Sequence, residues 1–256
     1  MTRHCGGALA GVCVLVTRPA HQAVGLVERL SVLGAEVMVH PVIQILEPGD
    51  WTEVDRIIDR LGQFDWIVFS SVNGAHHFWG RVAKLKGEVS KPSGVKLAAI
   101  GPGTADELRV RGLQVDLVPP KYRAESLADA LAETGDRRFL LCRASRGREV
   151  LAEKLLEAGA AVEQVVTYSS TDVQRADPSV VTMLDEGRIH WVTVTSSAIA
   201  AGLVNLFGSR LKRCCLASIS PITSATLRES GFEPAVEAEE YTMAGLVEAI
   251  AKGVSA

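Results

Sequence analysis

The chain has 256 residues, more than the roughly 100–150 residues of a typical single domain, so two domains are expected. Apolar residues make up 47% and charged residues 22%, a composition that excludes a disordered or fibrous protein and is typical of a soluble globular one. The net charge of −3 excludes a general polyanion binder, so no nucleic-acid partner is expected. An anionic ligand would be met by local clusters of basic side chains.

The cysteines and the N-terminus indicate a cytoplasmic location. No two cysteines have the C-x-x-C spacing of a metal or redox site, and their odd number favours reduced thiols. They are Cys5, Cys13, Cys142, Cys214 and Cys215. A signal peptide is not expected, because Val12–Val16 already looks like a strand and Thr17–Arg18 follows at once. No apolar run approaches the ~20 residues of a membrane span, so no membrane partner is expected. The histidines have no metal-ligand spacing, so no metal is expected.

The elements alternate between strands and helices from the start of the chain. VCVLVTRP at 12–19 predicts a strand, a leucine pattern predicts a helix before Gly34, and AEVMVHPVIQI predicts a second strand. A helix over Trp51–Leu61 precedes Trp66–Phe69, a run that is apolar on both faces, as expected of a buried parallel strand. VKLAAIGPGTADELRVRG and QVDLVPPKYRAESLADALAE each predict a short strand, a loop and a helix.

The second half of the chain starts the same pattern again. Phe139–Cys142 predicts a strand, and a basic loop follows with Arg143, Arg146 and Arg148. Glu149–Ala158 predicts a helix, and the next strand is expected to end at Tyr168.

Comparison of the sequence with itself reveals an internal duplication. At an offset of 125, and after a six-residue deletion at an offset of 119, glycines, tryptophans and turn residues match in the same order. The pairs are Arg18 with Arg143, Gly34 with Gly159, Val37 with Val162, Trp66 with Trp191, Ser71 with Ser196, Pro102 with Pro221, Thr104 with Thr223, Gly112 with Gly231, Tyr122 with Tyr241 and Leu127 with Leu246. We therefore expect two similar α/β domains, each with about four strands in a doubly wound, flavodoxin-like parallel sheet.

In such sheets, ligands bind outside the carboxyl ends of the strands. Two copies facing each other would form a cleft for a ligand rich in carboxylates or phosphates. The residues at these ends are Thr17–Arg18, Ser70–Ser71, Gly101–Thr104, Arg143, Thr195–Ser197 and Ser220–Thr223.

Each of these candidates also has an ordinary structural explanation. Thr104 and Thr223 are expected to cap the helices that follow them, in turns that either bind a carboxylate or only join a strand to a helix. Arg18 and Arg143 can each grip a carboxylate, or lie in solvent, or form an internal salt bridge. Tyr168 can donate a proton or simply pack at a strand end.

Eight segments, in this order and at this spacing, carry a resemblance to a known family. They are VLVTRP, DWIVFSS, AAIGPGTADELRVRG, LLCRASRGRE, VVTYSST, HWVTVTSS, SISPITSATLRESG and EEYTMAGLVEAI. The chain resembles the uroporphyrinogen-III synthase family over nearly its whole length. The resemblance implies two α/β domains joined by a two-stranded connector near 40–46 and 165–171. The first domain would be 1–41 plus 170–256, and the second 42–169.

The resemblance also implies a reaction and a site. The activity would be that of a cytoplasmic, monomeric, cofactor-free hydro-lyase, which cyclises hydroxymethylbilane with inversion of ring D through a spiro intermediate, for heme, siroheme or cobalamin synthesis. Tyr168 matches the family tyrosine thought to assist departure of the hydroxyl. The implied substrate-binding residues are Thr17, Arg18, Ser70, Ser71, Gly101, Thr104, Arg143, Arg148, Thr195, Ser196, Ser197, Ser220 and Thr223. Ser220 is a departure, since many members have glycine there.

Two other functions remain open from the sequence. The scaffold could be a non-catalytic module that binds tetrapyrroles or other anions, because no residue is indispensable on chemical grounds. A sugar-nucleotide transferase also has two α/β domains, but no nucleotide motif is present.

Overall fold

The computed structural model describes residues 7–255, and Cys5 lies outside this range. The described residues form ten strands and ten α-helices. The strands are β1 (Cys13–Val16), β2 (Glu36–Val39), β3 (Ile43–Leu46), β4 (Trp66–Phe69), β5 (Lys96–Ala99), β6 (Arg138–Ala144), β7 (Ala161–Asp172), β8 (Trp191–Val194), β9 (Cys215–Ser218) and β10 (Val236–Glu237). The α-helices are α1 (Ala20–Val32), α2 (Thr52–Ile58), α3 (Val72–Lys86), α4 (Pro102–Val110), α5 (Ala124–Ala132), α6 (Val150–Glu157), α7 (Pro178–Asp185), α8 (Ser197–Phe207), α9 (Pro221–Glu229) and α10 (Met243–Ser255). Within residues 7–255, no helix is long and apolar enough to span a membrane.

The chain divides into two compact units. The first unit takes in Met1–Gln44 and Thr171–Ala256, and the second is Ile45–Ser170. The chain passes from the first unit to the second within β3 and returns within β7.

The first unit contains a five-stranded sheet with the order β10-β9-β8-β1-β2, and its paired strands are parallel. In β1, Val14 and Val16 pack in one core with residues of α1 and α10. Leu15 lies between them and is also fully buried. Because successive strand residues point to opposite faces, both faces of β1 are covered.

The second unit contains a five-stranded sheet with the order β3-β7-β6-β4-β5. The pairs among β4, β5, β6 and β7 are parallel. Ile67 and Phe69 of β4 pack in a core with α2, α3 and α4, whereas Trp66 and Val68 pack with α5 and α6. Helices thus cover both faces of the sheet, and the predicted doubly wound α/β fold is confirmed.

The strand count differs from the expected four, because each copy of the repeat carries five strands, β1–β5 and β6–β10. AEVMVHPVIQI is not one strand: β2 and β3 lie in different sheets. The strand expected in QVDLV is reduced to a bridge between Leu117 and Ala98.

Two residues of the candidate site occupy positions that the sequence did not predict. Arg143 lies inside β6, paired with Val166 of β7, and not in the basic loop. Tyr168 does not end its strand, because β7 continues to Asp172. A register shift after Arg143 lets Ala144 pair with Tyr168. The pairing with β6 ends at Tyr168, but β3 pairs with β7 on its other side, so tertiary context overrides the local polarity of this segment.

Candidate functional site

In the second unit, Tyr168 contacts one other candidate residue, Ser71. This side chain is only 7% exposed, and its hydroxyl donates a hydrogen bond to Ser71 Oγ at 3.1 Å. Ser71 Oγ also accepts the backbone N–H of Gly74 at 3.0 Å and so caps α3. The ring of His77 stacks on the phenol, with ring centroids 5.9 Å apart and planes at 16°. The first turns of α3 therefore contact both the hydroxyl and the face of Tyr168.

The environment of Tyr168 keeps its hydroxyl protonated. Burial raises the pKa of the phenol above its ordinary value, and hydrogen bonds with Ser71 and Asn73 lower it by a smaller amount. Because the neutral form of tyrosine is the protonated one, burial stabilises the proton donor. The phenol can therefore act as a general acid at neutral pH.

The two candidate arginines of the second unit, Arg143 and Arg148, already bind acidic side chains of the protein. Arg143 Nη1 forms an ion pair with Glu149 and donates to Gln164 Oε1 at 2.9 Å. The hydrogen bond from Arg143 holds the pKa of Glu149 below its ordinary value. Arg148 Nη1 pairs with Glu125 Oε1 at 3.0 Å. A ligand carboxylate would have to displace these partners.

Arg18 in the first unit has different surroundings. Its Nη1 donates to Met243 Sδ at 2.8 Å, and its Nη2 has a long contact of 3.5 Å to Gln22 Oε1. Its Nε is buried and has no hydrogen-bond partner in the structure. Burial lowers the pKa of Arg18, and no carboxylate within residues 7–255 pairs with it. A ligand carboxylate would supply the missing acceptor.

The Thr17 hydroxyl is used within the sheet. Thr17 is fully buried, and its Oγ1 donates to the carbonyl oxygen of Thr193 at 2.5 Å. Thr193 in turn donates from its Oγ1 to the carbonyl oxygen of Leu15 at 3.3 Å. These bonds tie β1 to β8, so the Thr17 hydroxyl holds the strand next to Arg18 in place.

Two further serines cap helices at strand ends of the first unit. Ser196 Oγ accepts the N–H of Ile199 at 3.2 Å at the start of α8. Ser220 Oγ accepts the N–H of Thr223 at 3.4 Å at the start of α9 and lies 3.1 Å from Thr223 Oγ1. Ser220 therefore accepts a hydrogen bond from the amide of Thr223. In the matching turn of the second unit, no side chain caps the helix.

The expectation that Thr104 and Thr223 cap α4 and α9 is wrong. Each is the third residue of its helix, with a buried side chain, because Pro102 and Pro221 occupy the first helical position. The N-cap of α4 is Gly101, which supplies no side-chain hydrogen bond.

The candidate residues are divided between the two units. Ser70 is exposed, and Thr195 and Ser197 are half-buried. The second unit holds Ser70, Ser71, Gly101, Thr104, Arg143, Arg148 and Tyr168, and the first holds Thr17, Arg18, Thr195, Ser196, Ser197, Ser220 and Thr223. Within residues 7–255, no group of three or more His, Cys, Asp or Glu side chains is placed to hold a metal ion.

Comparisons with known proteins identify the family. The sequence model described as uroporphyrinogen-III synthase HemD matches residues 25–248. This chain belongs to the uroporphyrinogen-III synthase family. Uroporphyrinogen-III synthase of Synechococcus elongatus is 30% identical over 252 residues, which cover 94% of this chain and 95% of that protein. A putative uroporphyrinogen-III synthase of Methanothermobacter thermautotrophicus is 31% identical over 248 residues, which cover 92% and 96%. The predicted family is confirmed, and the match supports a synthase over a non-catalytic module.

Solved structures of uroporphyrinogen-III synthases share the fold. A mutant of the Thermus thermophilus enzyme matches 95% of this chain and 99% of its own, with a TM-score of 0.64 at 16% identity. The Helicobacter pylori protein matches 93% of this chain and 97% of its own, with a TM-score of 0.59 at 14% identity.

The sequence did not reveal two neighbours of the candidate site in this synthase-family chain. Asn73 and His77 lie one helical turn apart on α3, and both interact with Tyr168. Their spacing of four residues places them on the same face of a helix, which was a usable signal. Met243 contacts Arg18 across a separation of 225 residues, and no sequence pattern indicates that contact.

Proposed function

We propose that this chain converts hydroxymethylbilane to uroporphyrinogen III, with inversion of ring D and loss of water, as a hydro-lyase of tetrapyrrole biosynthesis. The observation that carries the proposal is the buried, protonated phenol of Tyr168, bound by Ser71, in a chain of this family. The reaction needs no metal or cofactor, and we propose a cytoplasmic monomer.

Tyr168 gives a proton at the start of the proposed reaction and regains one at its end. The phenol gives its proton to the departing hydroxyl, so the C–O bond breaks, water leaves and an azafulvene cation forms. Ring D attacks this cation through its substituted carbon to give a spiro intermediate, which fragments and recloses with ring D inverted. A pyrrole carbon then loses a proton, and that proton restores the phenol. Water is the only other product.

Arg18 and the backbone amides are the proposed carboxylate-binding groups. The substrate bears acetate and propionate groups on every ring, and Arg18 has a buried N–H that lacks an acceptor. A carboxylate there gains charge-assisted hydrogen bonds. The turn at Gly101 offers further N–H groups, because no side chain caps α4. Arg143 and Arg148 would contribute after release from Glu149 and Glu125.

Such a site needs many binding groups and few acid–base groups. The bilane cyclises without a catalyst to the isomer that is not inverted, so the enzyme mainly imposes one folded geometry on its substrate. A single general acid held beside the departing hydroxyl is then sufficient for the chemical step.

Isomer analysis of the product tests the proposal. Purified protein would be given freshly prepared hydroxymethylbilane, and the cyclised product would be oxidised and separated into its porphyrin isomers. We expect the inverted isomer with the protein and the non-inverted isomer in a reaction without it. Formation of only the non-inverted isomer in both reactions would contradict the proposed function.

Removal of the Tyr168 hydroxyl should slow the reaction. Tyr168→Phe is expected to lower kcat by about 10²-fold, the lower end of general acid catalysis, because the hydroxyl already leaves readily. The fraction of non-inverted isomer should rise as uncatalysed cyclisation competes. Initial rates and isomer ratios measure both effects. Tyr241→Phe removes the same group elsewhere and should keep the wild-type rate. An unchanged rate in Tyr168→Phe would remove this residue from the mechanism.

A further inference from the structure

His77 of α3 stacks on the ring of Tyr168. His77 is half-buried, and its ring lies nearly parallel to the phenol, at 16°. The neighbouring His76 has Nδ1 3.0 Å from Glu107 Oε1 and 2.9 Å from Arg111 Nη2, and its ring packs edge-on against His77, with ring centroids 5.3 Å apart. His77 thus contacts the phenol directly, and His76 contacts the ring of His77.

The start of α3 is fixed against β6, so the groups it carries are well placed. A Cβ added at Gly74 would lie 3.0 Å from the carbonyl oxygen of Cys142 and 3.2 Å from Ser71 Oγ. A larger residue would push the helix away from the strand by a few tenths of an ångström, so glycine favours this close approach. The two hydrogen bonds that Ser71 Oγ accepts, from Gly74 and Tyr168, use both of its acceptor positions.

The backbone of Tyr168 is fixed as well. Its carbonyl oxygen accepts the N–H of Ser145 at 2.9 Å, next to the register shift between β6 and β7. The side chain is then held at the hydroxyl by Ser71 and along the ring by His77. Without the His77 ring, one face of the phenol would lose its packing partner, and the hydroxyl could swing away from Ser71.

We propose that His77 is a positioning residue, which holds the plane of the Tyr168 ring so that the phenolic hydroxyl stays aligned for proton transfer. The inference rests on the proposed function, because Tyr168 is the acid of that reaction. The ring of His77 supplies the contact. Rates fall steeply when a reacting group leaves its productive geometry, so the effect belongs in kcat and not in KM.

Variants of His77 in two backgrounds test the proposal. His77→Ala is expected to lower kcat by about 3- to 10-fold, the equivalent of one aromatic pair, with KM unchanged. His77→Phe retains a ring and should restore most of kcat. In a Tyr168→Phe background, His77→Ala should have no further effect, because the hydroxyl it positions is gone. His76→Ala keeps the ring of His77 and should lower kcat by less than His77→Ala does. An equal loss in both backgrounds, or a Phe variant as slow as the Ala variant, would overturn the proposal.

A second measurement does not depend on activity. The chain has only three tyrosines, so ring-labelled tyrosine gives a simple NMR spectrum in which Tyr168→Phe assigns one signal. In His77→Ala, the Tyr168 ring should flip faster, and the pKa of the phenol should move toward its ordinary value as the ring becomes exposed. His77→Phe should match the wild type in both. Identical ring motion in all three proteins would overturn the positioning role, even if isomer analysis supports the proposed function. Failure of that analysis with the NMR differences intact would contradict only the reaction.

Discussion

Arg18 and Arg143 occupy matching positions of the repeat but have different partners. The Arg143 side chain is tied to Glu149 and Gln164, whereas Arg18 faces a thioether and a distant amide. A buried guanidinium without a carboxylate carries an uncompensated desolvation cost. That cost is tolerated in sites that bind a ligand of opposite charge. Arg18 is therefore a better candidate than Arg143 for binding a carboxylate of the substrate.

Replacement of each arginine by methionine should separate ligand binding from stability. Arg18→Met is expected to raise KM by about 10- to 100-fold, the value of a hydrogen bond to a charged group, while Tm stays the same or rises. Arg143→Met should lower Tm and raise KM less, because the internal ion pair with Glu149 is lost. Initial-rate kinetics and calorimetry on both variants check the pattern. A lowered Tm with an unchanged KM in Arg18→Met would contradict it.

The turns that join strands to helices are alike in sequence and different in structure. Gly101 and Ser220 both have extended backbones, with φ of −170° and −163°, so neither position demands glycine for conformational reasons. Gly101 has little space for a side chain, because an added Cβ would lie 3.2 Å from Tyr122 Cβ. Ser220 instead uses its side chain to cap α9. The serine that departs from the glycine of many family members therefore bonds one backbone amide, that of Thr223.

These turns also indicate which parts of the site could be predicted from the sequence. The turns were predicted, because glycine, proline and hydroxyl residues follow apolar runs in both copies. The caps were misassigned to threonines, although proline at the first helical position was the deciding signal and was available. The ion pair between Arg143 and Glu149 and the stack of His77 on Tyr168 depend on side-chain directions that spacing alone does not fix.

Substitutions at Ser220 should show what the cap of α9 contributes. Ser220→Ala is expected to lower the free energy of unfolding by about 1 kcal/mol, because the amide of Thr223 loses its acceptor. Ser220→Gly should cost only a few tenths of a kcal/mol, since water or a ligand can then reach that amide. Denaturant titrations measure both values. KM in Ser220→Gly should stay at or below that of the wild type, and a raised KM would mean that the serine hydroxyl itself binds substrate.

At the scale of the whole molecule, the units are not the copies of the repeat. The first sheet combines β1 and β2 of the first copy with β8, β9 and β10 of the second, and the second sheet combines β3, β4 and β5 with β6 and β7. The sequence predicts the parallel fold and the duplication, because both follow from local sequence patterns. Local patterns do not predict this exchange, since equivalent strands of the two copies have the same local preferences. The expected bounds of 1–41 plus 170–256 and 42–169 come only from the family resemblance. The 26 residues from 40 to 65, between β2 and β4, are long enough for a crossover within one sheet or for passage to another.

The exchange leads to a prediction about which fragments fold. A fragment of residues 43–172 contains all five strands of the second sheet and the helices α2–α6 that cover it, so it should fold on its own and unfold cooperatively on heating. A fragment of residues 12–134 contains one copy of the repeat, but its strands belong to two incomplete sheets, and β4 lacks its partner β6. It should form helix without a cooperative transition, because apolar residues such as Ile67 and Phe69 lose part of their packing. Circular dichroism during thermal unfolding distinguishes the two. Cooperative unfolding of 12–134 and not of 43–172 would show that the copies, and not the units, are the parts of the chain that fold.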